Sequence, residues 1–223
     1  MPFSMIHLSV AKKINDKINI AEDLPQFLLG SLAPDSVHFR ENYHSVMKMK
    51  SHLHPGKKPW GINEDEDVDE WLNYVLARIK NDDNHSCNDF YRGFIVHILT
   101  DIYNTRNQAI PYMKWLLTQE DKENAQMEGR RLFFTQCIQN NLALYKTLPC
   151  KNEIWILLEK SAGEAINNII EAQEVEKFKE FILDDLRKED DSLGDFPAYY
   201  SLDKNLCFIR SAADEIIHLL HMN

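Results

Sequence analysis

DFYRGFIVHILTDIYNT, residues 89–105, is the stretch on which the fold turns. Phe94, Ile95, Ile98, Leu99 and Ile102 recur at helical intervals and give a wide apolar surface, so 89–105 is expected to be the central helix. Two side chains interrupt the apolar run. His97 and Asp101 stand four apart, about one helical turn, so an imidazole and a carboxylate leave the same face. An ionised carboxylate on the apolar part of a core helix costs several kcal/mol unless a cation or strong donors compensate it. A metal ion is one such partner, and a salt bridge from Arg92 or Arg106 is the other. His97 taken alone reads as a hydrogen-bonded core histidine.

The helical period continues outward from this segment, and alternating β-branched runs are missing. Further helices are expected at 5–15, with Ser4 as N-cap, and at 23–30, which stops at Gly30. Others are expected at 68–80, 112–118, 122–145, 153–173, 174–188 and 204–220, all amphipathic. The chain therefore reads as all-α, a single-domain multi-helix bundle spanning 1–223. Residues 48–61 hold two prolines and two glycines and are expected to be irregular. The acidic run 63–67 suits a helix N-terminus, 81–88 is a polar break, and 189–200 is a long polar connection.

A chain of 223 residues with 44% hydrophobic and 27% charged residues is large enough, and apolar enough, for one substantial core. Its net charge of -10 argues against the broad electropositive surface that binds duplex nucleic acid or anionic lipid. No stretch approaches the roughly 18–20 apolar residues that cross a bilayer. Residues 1–10 lack a basic leader and a small-residue cleavage site, so a cytoplasmic location is expected. Cys87, Cys137, Cys150 and Cys207 are far apart with no C-x-x-C pair, and are read as buried thiols rather than a zinc ribbon or disulfide framework.

Further donors surround the His97/Asp101 pair in sequence. Asp35 follows Pro34, which biases Ala33 away from helical dihedrals and presents the carboxylate on a loop or at a helix start. His52 and His54 flank Leu53, and either can reach a metal; His38 and His44 read as surface residues. Asp35, His52, His97 and Asp101 together offer two imidazoles and two carboxylates, a set suited to zinc, although manganese, iron or nickel accept the same ligands. His7, between Ile6 and Leu8, reads as a core imidazole. Arg40 and Arg92 are candidates for a phosphate oxygen, with surface salt bridges as the alternative. Trp60, Trp71, Tyr91 and Tyr103 are assigned to the core, not to a pocket.

The order of His7, FLLGSLAPD at 27–35, KSHL at 50–53 and His97-x-x-x-Asp101 resembles the bacterial zinc-dependent phospholipase C family over the first half of the chain. That resemblance implies an all-helical fold shared with single-strand-specific zinc nucleases, and a cluster of up to three zinc ions that hydrolyses phosphodiesters. It implies that Asp35, His52, His97 and Asp101 complete one metal site, with His7 helping Asp101, as bridge, to hold a neighbouring metal. The chain departs from the pattern in carrying Asn107 where the family has a histidine six positions after the aspartate. A later H-x-x-x-E pair is missing too, and Asp214 and His218 are the nearest, in reversed order. Family members are secreted and use a processed N-terminus as a ligand, whereas here Met1 is retained with His7 close behind. The expectation is a divergent cytoplasmic branch with one or two zinc ions.

The activity so implied is metal-assisted hydrolysis of a small phosphodiester or phospholipid head group, with Asp35 as both ligand and the carboxylate that orients or deprotonates water. A noncatalytic metal-binding protein that has lost part of the zinc cluster is the first alternative. A helical interaction module whose histidines are core residues is the second.

Overall fold

The computed structural model describes residues 3–56, 65–81, 88–116, 118, 122–187 and 201–221. Cys87, Trp60, the 189–200 connection, residues 57–64 of the two broken segments and residues 82–87 of the polar break lie outside the described residues. Those described fold into helices α1 (Ser4–Ile18), α2 (Leu24–Gly30), α3 (Ser45–Ser51), α4 (Asp65–Lys80) and α5 (Asp89–Asn104), with a 3-10 helix (Ala33–Phe39) between α2 and α3. A π-helical turn (Thr105–Ala109) leads into α6 (Ile110–Leu116), followed by α7 (Lys122–Thr147), α8 (Lys151–Lys160), α9 (Ala172–Arg187) and α10 (Leu202–His221). Among the described residues no strand forms, and the fold is all-α, as the helical period requires. None of these helices is long and apolar enough to cross a membrane.

Helix α5 is the hub. Nearly every side chain along it is buried, and it packs on α1, α2, α4, α10 and the 3-10 helix. Its closest approach is to α2, at two glycines. A Cβ at Gly30 would lie 2.0 Å from the Phe90 carbonyl oxygen, and one at Gly93 would lie 2.0 Å from the Phe27 carbonyl oxygen. The two backbones therefore touch, a contact open only to residues without a side chain. Asn88 starts α5 by accepting the Tyr91 N–H at 2.8 Å, and Asp23 starts α2 by accepting the Gln26 N–H at 3.2 Å.

Several local expectations are corrected. Ser4 is not the N-cap of α1. It lies inside the helix, and Asn141 of α7 accepts the Met5 N–H at 2.8 Å and the Ser4 hydroxyl at 3.3 Å, so a distant helix supplies the cap. Residues 48–51 are helical rather than irregular, because Ser51 Oγ ties α3 to the Pro34 carbonyl at 2.8 Å. The chain breaks afterwards, at Leu53, which has a φ of 50°. The expected helix over 153–173 stops at Lys160. A tight turn closes Ile166 onto Ile170 through left-handed Asn168 (φ 60°), and a Cβ at Gly163 would lie 2.3 Å from the Ala172 carbonyl. Of the three thiols among the described residues, Cys137 is buried, Cys150 half-buried and Cys207 exposed. Trp71 and Tyr91 are core residues, and Tyr103 is half-buried against Phe208.

Replacing Gly93 by alanine is expected to destabilise the protein by about 3 kcal/mol, since backbone rather than a flexible side chain must yield. Urea denaturation measures it, and a loss near zero would mean that α2 and α5 do not meet as described.

Candidate metal centre

The helical contact at Gly93 acts one turn further along α5. His97, four residues on, is carried against the end of α2, where its Nδ1 donates to the Ser31 carbonyl at 2.8 Å. With the proton fixed on Nδ1, the Nε2 lone pair points the other way, into the interior. His52, at the C-terminus of α3, is oriented similarly. Its Nδ1 lies 2.9 Å from the Lys48 carbonyl and 2.9 Å from Ser51 Oγ, and its backbone carbonyl accepts the Trp71 indole N–H at 2.9 Å. The two Nε2 atoms face each other at 3.3 Å.

The carboxylates close the group. Asp101 Oδ2 lies 3.4 Å from His52 Nε2 and 3.8 Å from His97 Nε2, and its Oδ1 lies 3.5 Å from His7 Nε2. Asp35, in the first turn of the 3-10 helix, places Oδ1 3.4 Å from His52 Nε2 and Oδ2 4.0 Å from His97 Nε2. The imidazoles of His7 and His97 stack with centroids 3.7 Å apart and planes 5° from parallel. All five residues singled out in the sequence thus converge: His7, Asp35, His52, His97 and Asp101. Between His52 and His54 the structure selects His52. The left-handed backbone of Leu53 turns His54 away, its Nδ1 accepts the Gly56 N–H at 3.2 Å, and its ring lies against Trp71.

The donor geometry fits a divalent ion. A tetrahedral ion with bonds of about 2.0–2.1 Å holds its donors about 3.3–3.4 Å apart. Three of the separations above fall at 3.3–3.4 Å, and the wider ones all involve His97 or His7. His52, His97 and Asp101 form a fully buried triad, and His7, Asp35 and His97 form a second group that shares His97. Neither oxygen of Asp101 and neither ring nitrogen of His7 has a hydrogen-bond partner, although all four atoms are buried. The arginines weighed as salt-bridge partners of Asp101 pair elsewhere: Arg92 with Asp89, and Arg106 with Asp69. A buried carboxylate without donors is the situation a cation relieves.

Protonation states agree with that geometry. Burial and the neighbouring His7 and His52 charges outweigh the attraction of Asp101 and Asp35 and lower His97 to about 3, so its imidazole is neutral near pH 7. Burial pushes the Asp101 carboxyl up, but its pairing with His7 and the charges of His97, His7 and His52 bring it down to about 2. Burial likewise raises Asp35, yet the Lys48 ammonium, pairing with His52, and the charges of His97 and His52 hold it well below the usual carboxylate range. Neutral imidazole and ionised carboxylate are the forms that ligate.

Other expectations end away from the cluster. Arg40 forks onto Glu174 at 2.6 and 2.7 Å and Arg92 pairs with Asp89 at 2.9 Å, so both are structural ion-pair partners. Asn107 is exposed and donates to the Tyr103 carbonyl, and Asp214 pairs with Lys17 on the surface. His44 is exposed as expected. His38 is exposed as well, yet its Nε2 lies 3.1 Å from the Lys48 ammonium, which itself lies 2.9 Å from Asp35 Oδ1. Burial and the Lys48 charge lower the His38 pKa. Lys48 and Gly93 were not singled out by sequence. A glycine inside a helix, one turn before a histidine in an apolar run, is the signal that could have found Gly93; Lys48 carries none.

No family model, curated protein or solved structure matches this chain.

In EDTA the protein is expected to lose stability on acidification. His97 has an ordinary value of 6.5 and a folded value of about 3. Between these, the unfolded chain binds a proton that the folded chain refuses, so stability falls as pH falls. Asp101, at about 2 against 3.8, continues the same slope at lower pH. Urea midpoints from about pH 7 to about pH 4 measure the effect. Replacing His97 by asparagine should shallow the slope, and an unchanged slope would remove His97 as its source.

Proposed function

We propose that the chain is a metal-dependent phosphodiester hydrolase, with zinc as the preferred ion, resembling the zinc-dependent phospholipase C family. One observation carries the reading: the donor atoms of His52, His97 and Asp101 lie 3.3–3.8 Å from one another in the interior, and the Asp35 carboxylate stands beside them, 3.4 Å from His52 Nε2. Three protein ligands with a fourth position facing a reactive group is the arrangement of catalytic rather than closed structural sites. His52, His97 and Asp101 would hold a divalent ion, which would supply Lewis acidity toward a water and a phosphoryl oxygen.

The chain's own residues do the remainder. Ser31 and Lys48 carbonyls fix the tautomers of His97 and His52. His7 stands at the second oxygen of Asp101 and keeps that carboxylate turned toward the cluster. Asp35 is the most exposed of the five, with a side chain 17% exposed, and Lys48 holds its Oδ1. Its ionised carboxylate would orient the attacking water and take its proton as the water oxygen bonds to phosphorus and the P–O bond opposite breaks, releasing the alcohol. Exclusion of bulk water comes from the surrounding core, since the other four side chains are at most 1% exposed.

That same burial favours a second reading, an ion that is bound without turnover. Elemental analysis and kinetics separate the two. Purified protein is expected to hold about one equivalent of zinc, and His97→Ala less than about a tenth of that. Zinc-loaded protein should hydrolyse bis-p-nitrophenyl phosphate, with activity lost on chelation. Asp35→Asn keeps an oxygen donor but accepts no proton, and should retain most of the metal while kcat falls about 10²- to 10⁴-fold. Full zinc content in His97→Ala would sink the site, and zinc without turnover would leave the second reading.

A further inference from the structure

Helix α3 serves two sides of the molecule. Lys48, Ser51 and His52 are buried on the side of the metal cluster. Val46, Met49 and Lys50, followed by Leu53 just beyond the helix, recur at intervals of three and four residues and so share the opposite face. That face fronts a surface groove of about 580 Å³, whose other walls are Tyr74 and Arg78, one turn apart on α4, and the turn at Asn168. Sites for small organic molecules span about 300–1,000 Å³, and this groove lies within that range.

Three independent features mark the groove. Its walls carry large apolar side chains turned to solvent, Val46 at 60% and Tyr74 at 46% exposure. Leu53, Gly56 and Asn168, three of the five positive-φ residues, line it. A leucine keeps that conformation only where its surroundings enforce it, and ligand clamps are among the places where such residues collect. The third feature is charge. Lys50 and Arg78 are exposed, and among the described residues neither makes an ion pair, nor does any carboxylate line the groove. In a chain with 35 acidic and 25 basic residues, a groove edged by lysine and arginine alone is locally opposite in sign to the whole.

We propose that this groove is a second binding site, for a small amphiphilic carboxylate whose charge meets Lys50 and Arg78 and whose apolar body lies along Val46, Met49 and Tyr74. A guanidinium offers paired N–H donors to the two oxygens of a carboxylate, and the lysine adds a point charge. Met49, unbranched and polarizable, adapts to apolar bodies of different shape. The site shares no residue with the metal cluster and does not rest on the hydrolase reading.

The test is calorimetric titration of the full chain with dodecanoate, and with dodecyltrimethylammonium as the same alkyl body under the opposite charge. Dodecanoate is expected to bind about tenfold more tightly than the cation, and the double variant Lys50→Gln, Arg78→Gln to weaken it by about tenfold or more. Val46→Glu, which sets a carboxylate on the apolar wall, should weaken it as much. All three positions are exposed, so these variants keep the core intact. Naphthoate, run in parallel, decides the body: tighter naphthoate assigns an aryl acid and tighter dodecanoate an alkyl acid, each supporting the site if the same variants weaken it. No heat of binding for either carboxylate below the micellar range overturns the proposal, as do unchanged affinities in the variants or equal binding of the cation. Binding should persist in EDTA, and its loss there would put the ligand at the metal centre instead. A wild-type dimer that Val46→Glu dissociates would make the groove an interface between copies and overturn the proposal as well.

Discussion

The backbone contact between α2 and α5 is the constraint on which the centre depends. Gly30 and Gly93 let the helices approach until each glycine faces a carbonyl of the other helix. One turn beyond Gly93, that approach brings His97 Nδ1 to the Ser31 carbonyl, and the orientation of His97 Nε2 follows. Asp101 is one turn further along α5, so a single rigid helix sets two of the five donors. Asp35 and His52 come from segments fastened to the same end of α2. The 3-10 helix begins just beyond Ser31, and Ser51 Oγ clamps α3 onto Pro34 of that helix.

Assembling the group in this way has an energetic cost that the fold carries. Two carboxylates held ionised in the interior, one of them with no hydrogen bond, would each cost several kcal/mol in isolation. The surrounding apolar cluster, drawn from α1, α2, α4, α5, α8, α9 and α10, supplies the burial that offsets it. A stretch of buried polar atoms retained against such a cost is where function concentrates, because the same burial that penalises a bare carboxylate strengthens its hold on a cation.

The fold class was legible because helical periodicity is a property of every segment: Val68, Trp71 and Val75, or Phe94, Ile98 and Ile102, mark a buried face whatever surrounds them. The His97/Asp101 pair was legible because a carboxylate on the apolar part of a helix needs a partner and four-residue spacing places the two side by side, whereas His7 read as a core imidazole and joined the donors only through the resemblance. What sequence did not disclose depends on contacts between distant segments. The cap of α1 comes from Asn141, 136 residues away from the Met5 N–H it accepts. The choice of His52 over His54 rests on a positive φ at Leu53, a residue type with no preference for that conformation. The end of α8 depends on Asn168 and on the packing of Gly163 against Ala172, neither of which interrupts the amphipathic pattern itself.

The charges around the cluster limit how many cations it could hold. Asn107 faces solvent and binds the Tyr103 carbonyl, and Asp214 is occupied by Lys17, so neither supports a second cation beside Asp101. The two donor groups found among the described residues share His97, which one ion cannot surrender to another at ordinary bond lengths. A further divalent ion beside two carboxylates would raise the local charge to plus two before Lys48 is counted. With Lys48 2.9 Å from Asp35, part of the carboxylate charge is already compensated before any ion is bound. One ion rather than two is thus the most that these residues would support electrostatically.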